Sequence, residues 1–566
     1  MAIDKNGAAT KKRPGVARYW PVAAVVVVAA AALGIGTALG GGDDDDPAGS
    51  TAAGGDGAPA LAAFEGEDPL DAPDCDPDTG RLAIPTLFAP NCVPLWPDDR
   101  DNGGTTSPGV TQDEIVVARY VAQEDESATA ITDEIVGEDA PTDEENAEYR
   151  AKVLEYYNAL YETYGREVTL VDVDATGAAD DDAAARADAL NIAQDVGAFA
   201  VIGGPAQTNA FAETLAAEGV VCLCVNSQPQ DVYEDLAPYA WGGLMSSTQG
   251  YVHRSDYVAN RLAGKPAEFA GDPTLQSQDR TFAIVYYETA DGSYGPGVDY
   301  FEEQLAEDGV ELADRVPYVL DLSRAPEDAA TIIARLKDAG ITSVIFAGDP
   351  FFPIYLTQEA TAQDYRPEWV ITGSTLTDTA AFARRYDQEQ WAHAFGISFL
   401  TARIDPAVSE EVETEYNPVA WYLGETLEAY PNLLDLGRLF IGIHLAGPEL
   451  TPETYRDAMF AYDPVNGHTT TLSASYGTEL WPWPDYAAAD DITEIWWDTE
   501  ATGPDETEAE GQGMYRYMSE GQRYMPGEVG ESTAVPFDEA GTSLLFDGAP
   551  DGDVPPTYPR RASREG

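Results

Sequence analysis

The sequence predicts an α/β protein of two doubly wound lobes, and three observations carry that expectation. The stretch 197–227, GAFAVIGGPAQTNAFAETLAAEGVVCLCVNS, reads as strand, helix, strand. Its last run, Val220 to Val225, is apolar on both pleat faces, as a strand covered by helices on both sides of a parallel sheet must be. Alternation of strand and helix then occurs twice along the chain, with a linker at 263–279 between the two series. At 566 residues the chain exceeds the size at which a single core stops growing.

The N-terminus comes first. Lys11, Lys12, Arg13 and Arg18 precede residues 19–39, which carry no charge, and Asp43 to Asp46 follow. The run is long enough to span a hydrocarbon core, with the basic tail 1–18 inside and the acidic side exported. A cleaved signal peptide is the competing expectation. The length of the run favours a retained anchor, so the protein is expected at the cell surface, extracytoplasmic and anchored in the cytoplasmic membrane, or secreted if the segment is cut. Residues 40–107 read as a flexible Ala/Gly/Asp-rich stalk followed by a collar. Cys75 and Cys92 flank a Pro-rich stretch there, and in an exported protein a disulfide between them is the default. Cys222 and Cys224 lie two apart on one face of a strand, where a bridge is strained, so two buried thiols are expected instead. Asp74, Asp76, Asp78 and Gly80 resemble a calcium loop only superficially, and a plain turn is preferred.

Regular structure is expected from Ile115 to Tyr120, a strand, followed by a helix with Tyr149, Val153, Tyr156, Tyr157, Leu160 and Tyr164 at helical spacing. Val168 to Val173 is a strand, and Asp180 to Val196 a helix stopped by Gly197. Then come the strand Phe199 to Ile202, a helix capped by Thr208 or Asn209, and the strand at Val220. Ser246 to Leu262 is a helix. In the second series Phe282 to Tyr287 is a strand and 288–297 a Gly-rich loop. Val298 to Asp308 is a helix, Pro326 opens another that Gly340 ends, and Ser343 to Ala347 and Trp369 to Thr372 are strands. Trp481, Trp483, Trp496 and Trp497 are expected to pack across the back of a lobe.

Composition excludes some functions. A formal charge of −69 argues against nucleic-acid binding, which needs a basic face. No Walker loop, nucleophile elbow or H-E-x-x-H occurs, and His253, His393, His444 and His468 show no metal-ligand spacing. Nothing asks for catalytic residues, a metal or a cofactor. In open parallel sheets small ligands settle in the crevice beyond the carboxyl ends of the strands. Here those ends are Gly203 to Thr208 and Asn226 to Gln228, whose short polar side chains and free N–H groups suit gripping better than acid–base chemistry.

Several segments together resemble type I periplasmic solute-binding proteins, specifically the branched-chain-amino-acid-like branch that serves ABC importers. GVTQDEIVVARY resembles the family's entry strand, and PYAWGGLMSSTQG its segment between lobes. RTFAIVYYETADGSYGPGVDYFEEQLAEDGVEL resembles the opening of its second lobe, with a Tyr-Gly-x-Gly turn at Tyr294 to Gly297. DCDPDTGRLAIPTLFAPNCVP and EIWWDTEATG look like those of actinobacterial members. The resemblance implies two Rossmann-like lobes joined by three crossovers, closing on a ligand like a hinged clamp. It implies lobe 1 at 108–249 and 396–447, lobe 2 at 250–395 and 448–500, and a C-terminal extension at 501–566. It further implies ligand groups at Gly204, Gln207, Thr208, Asn226, Ser227 and Gln228 from the first lobe. From the second come Tyr294, Asp349, Phe351, Ser374 and Thr375, although Asp349 before Pro350 also suits a helix cap and Tyr294 also suits a cover for the sheet edge. Amino-acid binders of the family carry an acid near Ser374 or Thr375, so an amino-acid ligand is in doubt. The expected partners are a small polar molecule and the membrane permease of an ABC importer. A membrane-tethered sensor with the same clamp, or an exported enzyme on this fold, are the competing functions.

Overall fold

The computed structural model describes residues 68–97, 100–123, 142–205, 208–225, 227–288, 294–408, 417–424 and 434–560. The segments 1–18 and 19–39, and the stalk up to residue 67, lie outside the described residues. Among the described residues no helix is long and apolar enough to cross a membrane.

The collar holds a short antiparallel pair, β1 (Cys75–Asp76) and β2 (Arg81–Leu82). Cys75 and Cys92 are bonded as expected, with Cα atoms 5.5 Å apart, and Leu82, Ile84 and Val93 beside them enter the first core. The Asp76 to Gly80 segment is a turn closed by Gly80 N–H on the Asp76 carbonyl at 2.8 Å.

In the first lobe the chain runs β3 (Glu114–Val121), α1 (Asp143–Leu160), β4 (Glu167–Asp174), α2 (Asp182–Asn191), β5 (Ala200–Ile202), α3 (Ala210–Ala217) and β6 (Val221–Leu223). The strands are parallel in the order β4-β3-β5-β6. The Tyr stripe is core: Tyr149 and Tyr156 of α1 are buried, and so are Tyr161 and Tyr164, although the helix ends at Leu160 and Tyr164 lies beyond it. The last strand stops at Leu223, two residues before the apolar run does. The chain turns there, Cys222 and Cys224 approach to a Cα distance of 5.1 Å, and the two sulfurs are bonded. That corrects the expectation of two thiols, which assumed a strand extended through both.

Helix α4 (Ser247–Asp256) leads into the second lobe and continues as a π turn to Leu262. There follow β7 (Phe282–Tyr287), α5 (Gly295–Glu307), β8 (Leu312–Tyr318), α6 (Ala325–Asp338), β9 (Ser343–Ala347), α7 (Phe352–Ala362), β10 (Glu368–Thr372) and β11 (Ala394–Ser398). These five strands are parallel in the order β8-β7-β9-β10-β11. Both sheets therefore place their second strand outside their first, so each reverses direction of winding once, between β3 and β5 and between β7 and β9. Such reversals open the crevice in which α/β sheets bind ligands.

The boundaries late in the chain differ from expectation. Residues 394–398 are a strand of the second sheet, so the return to the first lobe comes after them. Helices α8 (Leu434–Ala446) and α9 (Pro452–Phe460) then belong together in the first core, with Tyr476, Tyr486 and Ala487. The cause is close helix packing: a Cβ on Gly442 of α8 would stand 2.1 Å from the Tyr455 ring of α9. The chain re-enters the second lobe only at β12 (Ile492–Pro504), not at 448. Strand β12 runs antiparallel to β11 and pairs with β13 (Glu510–Tyr517) and with β14 (Arg523–Tyr524). The stretch 501–524 thus supplies the antiparallel border of the second sheet rather than an appendage. Trp496 and Trp497 alternate onto opposite faces of β12 and enter the two second-lobe cores, which is the packing role expected of them.

Candidate functional site

On the first-lobe side, β5 ends in Gly203, at φ +74°. A Cβ on Gly204 would lie 3.0 Å from that of Cys224, so the loop lies close against the end of β6. Thr208 is buried. Its hydroxyl donates to Asp182 at 2.5 Å and accepts the N–H of Ala210 at 3.0 Å. Its only proton is spent on Asp182, and its oxygen helps to start α3. Ser227 sits at φ +53°. Gln228 accepts from Asn209 at 3.2 Å, and its carbonyl accepts the Ser247 N–H of α4 at 3.0 Å. Gln207 and Asn226 lie outside the described residues.

On the second-lobe side, Tyr294 opens α5. Its N–H donates to Glu288 at 2.9 Å, and its ring meets Tyr287 edge-on at 5.1 Å. Asp349 has both carboxylate oxygens engaged within the lobe. One carboxylate oxygen accepts the N–H groups of Phe351 and Phe352 at 2.8 and 2.9 Å, which caps α7, and the other accepts the Tyr318 hydroxyl at 2.5 Å. Burial raises its pKa, and those bonds offset part of the rise. Phe351 packs edge-on against Phe382 at 5.5 Å. The Ser374 hydroxyl accepts the Gly348 N–H at 3.0 Å and lies 3.3 Å from Thr372 Oγ1, tying the ends of β9 and β10 together. Thr375 and Leu376 follow at φ +25° and +60°. A β-branched residue there is held against a preference of roughly 1–3 kcal/mol, a feature that clusters at ligand clamps and active sites.

Helix α4 links the two sides. A capping box of Ser246 and Gln249 starts it, and its first N–H meets Gln228 of the first lobe. Seven residues on, or about 10 Å along the axis, Arg254 donates from Nε to the carbonyl of Thr372 at 3.1 Å. Its guanidinium lies 4.8 Å from the centre of the Tyr251 ring and 5.0 Å from that of Phe399, the residue after β11. Gly250 makes the room, since a Cβ there would stand 3.3 Å from Phe399 and 3.4 Å from Arg254 Nη1. Gly373, at φ +67°, lets the backbone of Phe399 approach from the other side. Sequence reasoning missed Arg254, Tyr251 and Phe399. The signal that could have found Arg254 is a cation in the first half of the helix that follows the interlobe segment.

The segments that cross between lobes are packed together. Gly242 N–H donates to the Tyr486 carbonyl at 2.9 Å, and Ala488 N–H to the Gly242 carbonyl at 3.2 Å. Beside them lies a buried polar cluster. Asp491 pairs with Arg523 at 2.8 Å, and Trp481 donates to Asp490 at 2.8 Å. Burial pushes Asp490 up to about 7, and it pulls His253, whose ring nitrogen lies 2.9 Å from the Asp490 carbonyl, down to about 4. Among the described residues no group of three or more His, Cys, Asp or Glu is placed to hold a metal ion.

No protein-family model matches the chain, and no curated protein matches it. Many of the solved structures similar to it are solute-binding proteins of ABC transporters. One, from R. palustris in complex with 4-hydroxybenzoate, is 13% identical, with 73% of this chain and 98% of that chain covered and a TM-score of 0.48. The leucine-, isoleucine-, valine-, threonine- and alanine-binding protein of Brucella ovis is 12% identical over 76% of this chain and 98% of its own, at 0.48. A fatty acid ABC transporter substrate-binding protein of Thermomonospora curvata is 15% identical over 78% of this chain and 99% of its own, at 0.46. At such identities no residue role is transferred from them.

Proposed function

We propose that the protein is an extracytoplasmic solute-binding protein that captures a small polar molecule between its two lobes and hands it to the permease of an ABC importer. The observation that carries this reading is the placement of α4. Its first turn bonds the loop after β6 and its third turn bonds the end of β10, so the carboxyl ends of both parallel sheets lie within about 10 Å along one helix. On this reading Gly204, Ser227 and Gln228 supply ligand contacts from the first lobe, and Tyr294, Ser374 and Thr375 from the second. Two lobes joined by packed crossover segments suit closure that buries the ligand and completes its hydrogen bonds.

A screen of small molecules by thermal shift tests the proposal. A ligand at a hundred times its dissociation constant adds about 2.7 kcal/mol, or roughly 5–10 °C for units of this size. The hit should lower the radius of gyration in X-ray scattering, and Tyr294→Ala and Ser374→Ala should weaken it. Hits that leave the radius of gyration unchanged would sink the clamp.

A further inference from the structure

Among the described residues, Arg254 is a guanidinium with no acid in ion-pair range. The chain carries 100 Asp and Glu against 31 Lys and Arg, and most of the described arginines pair with a carboxylate. Arg261, Arg280, Arg384, Arg516 and Arg523 all pair with one. Arg166 instead spends its fork on the carbonyls of Thr111, Pro448, Asn102 and Gly104. Arg254 does neither. Among the described residues its one hydrogen bond is from Nε to Thr372, and no carboxylate oxygen comes within 4.0 Å of it.

The purely structural use of such a residue is to staple α4 to β10. That use is satisfied by Nε and by the two rings that sandwich the group, and it leaves four of the five guanidinium donors over. A fork held in place by Tyr251 and Phe399 has lost its rotamer freedom in advance, so little more is lost when a ligand binds. Its position is that of the proposed site. Thr372, to which it bonds, is hydrogen-bonded to Ser374, and Ser374 to Gly348, along the carboxyl ends of β9 and β10.

We propose that the ligand is a small monocarboxylate and that Arg254 receives its carboxylate through Nη1 and Nη2, a pairing the planar fork matches in two parallel bonds. The inference rests on the clamp reading above. The charge around the site favours a single negative charge over a phosphate or a dianion. Asp378, buried and bonded to Ser398 Oγ at 2.5 Å, interacts with Arg254 at longer range, and Tyr251 interacts with Glu288 as well as with the cation Arg315. A second or third negative charge would meet that field unfavourably.

The test uses acetate, octanoate, benzoate, leucine and succinate beside acetamide, octanamide, benzamide, leucinamide, glucose and glycerol. Each is screened by thermal shift on wild type, and the best binder is followed by calorimetry on Arg254→Gln and Arg254→Lys. Monocarboxylates should give the hits, with their amides at least tenfold weaker. Arg254→Gln should weaken the best acid by roughly 10- to 100-fold, and Arg254→Lys should recover part of that loss. If Arg254→Gln does not fold, the acid-to-amide ratio on wild type and the Arg254→Lys variant decide. No hit among the monocarboxylates, equal binding of acid and amide, succinate as the best binder, or an acid that survives Arg254→Gln each overturns the inference. A neutral hit that still lowers the radius of gyration overturns it and leaves the clamp standing, whereas hits that do not close the protein remove both.

Discussion

Glu368 and Arg280 form the ion pair on which the second lobe can best be tested. Glu368 opens β10 at the end of the sheet opposite the crevice, and both side chains are almost wholly shielded, at 2% and 0% exposure for Arg280 and Glu368. The contact is a two-pronged fork, at 2.8 and 2.9 Å, and the carboxylate also accepts the Ser343 hydroxyl at 2.6 Å and the Phe269 N–H at 3.1 Å. Glu368→Gln keeps the volume but turns one acceptor into a donor. It thereby faces an N–H with another N–H and leaves the guanidinium charge buried without a counter-charge. Breaking a pair of this kind costs about 3–5 kcal/mol, and at roughly 2–4 °C per kcal/mol for units of 150–250 residues the melting transition should fall by about 6–20 °C. Calorimetry and urea titration followed by tryptophan fluorescence, which Trp369 next in the strand should report, measure it. The double variant Arg280→Met/Glu368→Leu should recover most of the loss, because two apolar side chains have no desolvation to repay. A loss below about 1 kcal/mol in Glu368→Gln would show that the pair is hydrated and that the burial argument fails.

Two further outcomes are expected. Asp490 titrates near 7 when folded against an ordinary 3.8, so its contribution is present at low pH and is lost as pH rises through 7. Between pH 8 and pH 6.5 acidification should favour wild type over Asp490→Asn, which keeps an acceptor for Trp481, by about 0.8 kcal/mol; protonation of His253 in the unfolded chain opposes the gain in this window but acts on both proteins alike, and parallel pH curves for the two would refute the assignment. Replacing Cys75 and Cys92 together by Ser should lower stability by about 3 kcal/mol through the loop they close, with ligand affinity unchanged, since the pair lies in the collar; a loss confined to affinity would place the collar in the site.

Much of the fold was legible in the residues because it depends on local periodicity. Ser343 to Ala347 and Phe282 to Tyr287 are strands with the bounds expected, and the capping signals around Gly197, Gly219 and Gly340 lie where the chain turns left-handed. The loops that face the crevice were also readable, since they follow from where strands end in a parallel sheet. What each side chain does in those loops was not readable. Asp349 and Thr208 look like ligand groups by position, but their donors and acceptors are taken by Tyr318, by Asp182 and by helix N-termini. The return of residues 450–488 to the first lobe, and the use of the last strands to border the second sheet, depend on contacts such as Gly442 against Tyr455 and β12 against β11. Arg254 is the sharpest case. Its helix is plain in the sequence, but it bonds Thr372 and its second ring is Phe399, and only the tertiary fold brings them together. Local sequence determines which segments form strands and helices, because neighbouring residues set periodicity and caps. Whether a polar group within them is satisfied or left open to a ligand depends on partners far along the chain, and that was decided by the tertiary structure alone.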